Sequence, residues 1–358
     1  MLFGALSFRR AADQLFDQAE RAVALLARVQ PLNARRERER LQAAWQGERR
    51  LAPRFSYSAV PDMQGVRDAL EKLMLRADSA DPISQLYAER AAELTLESRI
   101  VEAVGRPEFR RLASRRFISN CGALQEADAL SLRWAGQGPA SPSSSESVCT
   151  DDDTQPNSLI SLLRAELYAR HLPVRVSPSQ DLSALAATGE KVIFVATGRF
   201  LSEESARRVV VHEVLGHCVP RVNARRERLG LFVVGSAQGN DDQEGYALSI
   251  EERTGHLGHG RRFELALRHI IAKAMFEGAD FQEAVELAQR FDAPSSEAIS
   301  IATRVFRGGG LGREIAYLPA LCRILEQKET DQGLVSQLSR GRMSLGALRL
   351  LRDSAAMV

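Results

Sequence analysis

The fold class predicted from the sequence is α+β, mostly helical, with a small sheet and a helical N-terminal region. Three observations predict it. Apolar side chains recur at helical spacing through the first 135 residues. The stretch 136–157 is nearly free of large apolar residues, and two short Val- and Ile-rich runs, HLPVRVS and KVIFVA, interrupt an otherwise helical second half. The chain has 358 residues, 44% of them apolar and 26% charged, a composition that supports a sizeable core and excludes a mainly disordered chain.

In VRDALEKLML, Val66, Leu70, Leu73 and Met74 fall on one helical face, and Leu94, Ile100, Val101 and Val104 do the same within 84–104. Prolines at 31, 53, 61 and 82 and the step from Gly105 to Pro107 punctuate this region, 1–135. The segment 136–157, GQGPASPSSSESVCTDDDTQPN, cannot bury enough surface to offset ordering and is expected to be a flexible loop or linker. It precedes a second region, 158–358, which opens with a helix over 158–170. The length and β-branching of HLPVRVS and KVIFVA favour strands, and the apolar residues on both faces of KVIFVA predict a sheet covered on both sides. Ser202, with Glu203 and Glu204 in the first turn, starts the next helix. From residue 243 the chain is helical again, with a Gly-rich break at RVFRGGGLGREIAYL, 304–318.

With 48 basic and 46 acidic residues the net charge is +2, so no bulk field draws the chain to nucleic acid. Runs such as ARRERER interleave both signs, as a solvated helix face does. Cys121, Cys149, Cys218 and Cys322 form no CxxC pair, which argues for a reducing compartment and against a thiolate-held metal. No apolar run is long enough to span a membrane, and the expected location is the cytoplasm.

The helix opened by Ser202 carries VVVHEVLGHCVP, in which His212 and His217 flank Glu213 at a spacing of five. Residues five apart on a regular helix point about 140° away from each other. Two imidazoles so placed can share a metal if one π-type turn absorbs the extra residue, or if the helix ends before the second histidine. Gly216 and Pro220 weaken the helix at that point, so His212 is expected in regular helix and His217 at a π-turn or the helix end. Neutral imidazoles suit zinc, and Glu213 could act as general base toward the activated water. Glu244, Glu251, Glu252, His256 and His259 are candidates for a third ligand. Glu244 is expected in the first turn of a helix, and Glu251, on the same face, could instead accept a ligand histidine's free N–H.

HEVLGH followed by QEGYALSIEE, together with QPLNARRERER, RFSY, KVIFVA, RFLSEESARRVVVHE and RVFRGGGLGREIAYL in that order, resembles the bacterial QEGLA-motif proteins. These are also labelled flavohemoglobin expression-modulating proteins, and their eukaryotic relatives are the microtubule-associated tyrosine carboxypeptidases. The resemblance covers essentially the whole chain and implies a zincin-like metallopeptidase fold holding one Zn2+ ion. Carried over residue by residue, it implies His212, His217 and Glu244 as ligands and Glu213 as base. It matches Arg304 and Arg307 to the family's Arg-rich step, Tyr317 to its closing YL element and Asn223 to an asparagine suited to holding a loop. A planar guanidinium can bind a substrate's terminal carboxylate, and a tyrosine hydroxyl can donate to an oxyanion. Leu215 and Gly216 replace the family's Gly-Thr step, Arg313 and Glu314 its Lys-Asp pair, and Tyr246 the leucine of QEGLA. These swaps alter the pocket wall, so side-chain specificity does not transfer.

The expected function is therefore a zinc-dependent, carboxypeptidase-like peptidase acting on a peptide or protein C-terminus, with neither nucleic acid nor membrane as partner. The alternatives are an amidase acting on a small peptide-like metabolite and a non-catalytic regulatory protein that keeps zinc for structure.

Overall fold

The computed structural model describes residues 2–119, 121–140, 147–180, 182 and 184–356. Part of the Ser- and Pro-rich stretch, 141–146, lies outside the described residues. The chain forms two compact units, one of residues 1–140 with 259–322, the other of 141–258 with 323–358.

The first unit is helical. Leu2–Val23, Ala34–Gln46, Gln64–Leu75, Pro82–Glu102, Phe109–Phe117 and Leu124–Ala135 are joined by His259–Phe276, Phe281–Gln289 and Ser295–Val305. The predicted long helix starts where Asp81 accepts from the Ile83 N–H with Pro82 in the first turn, and Asp280 and Glu283 form a reciprocal capping box at another start. Arg90 is buried and ion-paired to Glu20 and Glu93, while Arg116 pairs with Glu93 and Glu97. After Val305 the Gly-rich break winds through a short 3-10 turn, Arg307–Gly309, and a second one, Arg313–Ala316, which leads into Tyr317. Gly308, with φ at +73°, is required there: a Cβ would fall 2.4 Å from the Phe109 ring.

The second unit holds the strands. β1 (Ser147–Cys149) pairs antiparallel with β5 (Phe200–Ser202). β2 (Arg175–Ser179), β4 (Val192–Ala196) and β3 (Ala186–Thr188) form a three-stranded sheet in that order, β2 parallel to β4 and β3 antiparallel to it. Ile193 and Val195 project from one face of β4 into a core with Leu159 and Leu163 of helix Leu159–Ala169 and with Val209, Val210 and Val214 of the motif helix. The opposite face is only partly covered, since Phe194 is 39% exposed. The expectation of a sheet covered on both sides is thus corrected: the run is continuously apolar, but helices pack on one face.

Candidate metal centre

Ser202 caps helix Glu203–Val210 by accepting from the Ser205 N–H. The helix runs directly into a π-helical segment, Val211–Cys218, and on into Val219–Ala224. In a π-turn the N–H bonds five residues back, as Val219 does to the Val214 carbonyl. Residues five apart then come into line. The His212 and His217 rings meet edge to face with centroids 4.9 Å apart, and their Nε2 atoms are separated by 3.2 Å. Of the two expected distortions the π-turn is the one present, but His212 lies inside it and not in regular helix. Pro220 does not end the helix; it occupies the first turn of Val219–Ala224, where a missing N–H is tolerated.

Gly216 serves a purpose different from the one expected. It is absent from the positive-φ residues, so backbone freedom is not what it contributes. A Cβ on it would lie 2.4 Å from the Ala247 Cβ and 2.8 Å from the Ala247 Cα. Glycine is needed so that helix Gly239–Arg253, which carries Ala247, can lie directly against the motif helix.

That second helix starts after Gln238, whose φ is +59°, which places Glu244 in the second turn and not the first. Its rotation is fixed by buried polar side chains. Asp242 accepts from Arg323 and from the Leu345 N–H, at 2.5 and 2.8 Å, and Gln243 donates to the carbonyls of Leu338 and Gly341, both at 3.0 Å. With these neighbours pinned, Glu244 Oε2 faces the imidazoles at 3.5 Å from His212 Nε2 and 3.7 Å from His217 Nε2. Two turns on, the fully buried Glu251 accepts the His212 Nδ1–H at 2.6 Å. This bond fixes the tautomer that turns the Nε2 lone pair toward His217 and Glu244.

The three atoms therefore form a triangle with sides of 3.2, 3.5 and 3.7 Å. Ligand bonds of roughly 2.0–2.1 Å at tetrahedral angles require ligand atoms about 3.3 Å apart, so the set fits zinc. Among the described residues, His212, His217 and Glu244 are the group able to hold a metal. The other third-ligand candidates are not part of it; His256 Nδ1 meets Thr254 Oγ1, and His259 Nε2 meets the Gly138 carbonyl. Burial alone would depress the His212 imidazole, yet hydrogen bonds to Glu244 and Glu251 and the negative field of Glu251 and Glu213 push its pKa up to about 10. Such a concentration of carboxylate on one buried ring is what a divalent cation would neutralise.

Glu213 is buried, and its Oε2 accepts from the Thr188 hydroxyl at 2.7 Å. Thr188 is a site residue that the sequence reading missed. Asn223 donates to the Ser339 carbonyl at 2.9 Å, holding the chain beyond the motif.

Arg304, Arg307 and Tyr317 belong to the first unit. Both arginines converge on one carboxylate oxygen: Arg304 Nε lies 2.8 Å and Arg307 Nη2 3.2 Å from Oε1 of the fully buried Glu314. Burial would raise the Glu314 carboxyl, but the Arg307 and Arg304 guanidiniums hold it below the usual range. Tyr317 accepts at its hydroxyl from Arg313 Nη1 at 3.1 Å. Glu314 is the second residue that spacing alone did not single out, although the family's acidic residue at that step was a signal.

Residues 44–357 match the profile of the family described as MATCAP, microtubule-associated tyrosine carboxypeptidase. The chain belongs to this family. MATCAP membership and the His/His/Glu group together make it a zinc-binding metallopeptidase-like enzyme, and its mostly helical α+β fold with small sheets agrees with the MATCAP architecture. A crystal structure of a presumed lipoprotein from Colwellia psychrerythraea is similar in fold, with a TM-score of 0.52 and 13% identity over 82% of this chain and 67% of that one. At that identity the likeness concerns the fold alone. None of the curated proteins searched matches the chain. Among the described residues, no helix is long and apolar enough to cross a membrane.

Proposed function

We propose that this MATCAP-family chain is a zinc-dependent, carboxypeptidase-like hydrolase that cleaves a peptide bond near the C-terminus of a peptide or protein. The observation that carries the reading is the triangle of His212 Nε2, His217 Nε2 and Glu244 Oε2, with sides of 3.2 to 3.7 Å, beside the Glu213 carboxylate on the same π-turn. Three protein ligands, where a structural zinc has four, favour a catalytic ion.

A zinc ion bound there supplies the Lewis acid that polarises the scissile carbonyl and acidifies water. Glu251 holds His212 in the ligating tautomer. Glu213 takes the proton of the attacking water on its carboxylate and passes it to the leaving amine. In this reading Arg304 and Arg307 recognise the substrate's terminal carboxylate, with Glu314 orienting both guanidiniums, and Tyr317 donates to the oxyanion. These three roles rest on the resemblance and on side-chain chemistry. The tyrosine specificity in the family's name is not carried over, because Tyr246 stands where the family's motif has leucine.

The test compares the zinc-loaded chain with Glu213→Gln on a mixture of synthetic peptides, with fragments quantified by mass spectrometry and metal content measured on both proteins. Loss of cleavage by about 10²-fold or more with zinc retained is the expected result. Equal cleavage by both proteins removes the base assignment.

A further inference from the structure

The strand register aims a hydroxyl at Glu213. In the β3–β4 pair, Thr188 lies opposite Ile193, and cross-strand partners project from the same face. Ile193 is fully buried in the core that includes Val210 and Val214 on either side of His212 and Glu213. Thr188 therefore projects toward the π-turn, and its Oγ1 reaches Glu213 Oε2 at 2.7 Å and the Glu213 carbonyl at 3.2 Å. A hydroxyl has one proton to give, and the shorter contact, to a charged acceptor, takes it.

We infer that Thr188 is a positioning residue for the reaction: by donating to Oε2 of Glu213 it locks the carboxylate's rotation and leaves Oε1 to exchange protons. The inference rests on the proposed base role of Glu213. Among the described residues, Thr188 is the hydrogen-bond partner of the Glu213 side chain, and Oε1 has none. The lock comes from outside the metal-binding helices, on the strand whose Thr188 hydroxyl bonds Glu213. It governs proton transfer without contributing to metal affinity. A general base must be held within hydrogen-bond reach of the proton it takes, and small misplacements are costly in rate.

The test uses the full zinc-loaded chain with Thr188→Val, which keeps the β-branched shape and loses the hydroxyl, Thr188→Ser, which keeps the hydroxyl, and Glu213→Gln. Cleavage of the same peptide mixture, zinc affinity by chelator competition and the crystal structures of wild type and Thr188→Val are measured. Thr188→Val is expected to lower kcat about tenfold, with KM and zinc affinity within about twofold, and Thr188→Ser to recover most of the loss. The Glu213 carboxylate should be bonded to Thr188 in the wild-type crystal and displaced or spread over rotamers in Thr188→Val. An unchanged Glu213 position in the variant overturns the inference whatever the activity. So does unchanged kcat in Thr188→Val while Glu213→Gln is inactive, or a zinc affinity that falls in proportion to kcat. Full activity in Glu213→Gln would instead remove the base reading on which the inference stands.

Discussion

Gly216 and Ala247 meet with no room for one more carbon: a Cβ on Gly216 would stand 2.4 Å from that of Ala247. The contact sets the distance between the helix that supplies both histidines and the helix that supplies Glu244 and Glu251. Gly216→Ala is expected to cost about 1–3 kcal/mol by overpacking and to weaken zinc binding, because separating the helices opens the ligand triangle. Adding Ala247→Gly to it should recover only part of both, because the new Cβ would still stand 2.8 Å from the Cα of residue 247. Urea unfolding with and without zinc measures the pair, and a Gly216→Ala protein with wild-type zinc affinity would contradict the spacing role.

Glu251→Gln removes the charge behind His212 while keeping a hydrogen-bond acceptor. Partners of this kind typically contribute 10- to 100-fold to metal affinity, and a loss in that range is expected by chelator competition. A change below about twofold would reduce Glu251 to a packing residue.

The raised His212 pKa carries a sign. In the zinc-free protein the folded value of about 10 lies above the ordinary 6.5, so the protonated ring stabilises the fold fully below about 6.5, and that contribution is lost as pH rises through 10. Zinc requires the neutral nitrogen. Binding at pH 7 should therefore expel about one proton from His212, and affinity should rise with pH across this window. Calorimetry in buffers of different ionisation enthalpy counts the proton; a count of zero would show that the ring is already neutral.

Glu314→Gln strips two guanidiniums, one of them on the buried Arg307, of their shared carboxylate. The expected loss is about 3–5 kcal/mol in chemical unfolding, since an uncompensated buried charge remains. The depressed Glu314 pKa adds a pH dependence of the opposite sense to that of His212. Its stabilisation is present above the ordinary carboxylate value of 4.5 and is lost as pH falls through the lowered one. A loss under 1 kcal/mol would mean that the arginines find other partners.

If Arg304 binds a terminal carboxylate, peptides with a free C-terminus should be cleaved about 10- to 100-fold faster than their amidated counterparts, and Arg304→Ala should erase the difference. Equal rates on both peptides in the wild type would point to an internal peptide bond as the substrate.

Two histidines on one helix leave a mark in spacing, but spacing left Glu244 among five candidates for the third position, and it was the resemblance that singled it out. The cap at Ser202 was legible as well, whereas Ser158 and Asp81 cap their helices without having been singled out. Thr188 left no such mark. Its strand, Ala186–Thr188, is three residues long and two of them are alanine, so neither β-propensity nor alternation announces it, and its direction depends on pairing with β4. Gly216 was noticed for the wrong reason, because a glycine needed for contact with a residue on another helix looks the same in sequence as one needed for backbone freedom. Phe194 misled in a similar way: one exposed aromatic within VIFVA cannot be told from a buried one until the helices are placed.

The widened turn between His212 and Cys218 also works as a phase adjustment. Deleting Leu215 would give the histidines the commoner spacing of four, and, because the π-turn absorbs one residue, the shortened segment would close as regular helix. Asn223 and Pro220 would then stay near their present phase, Asn223 on the Ser339 carbonyl it now grips at 2.9 Å and Pro220 in its buried seat. The surplus residue is carried as a local widening, which the rod could shed without disturbing the neighbours it leans on beyond it.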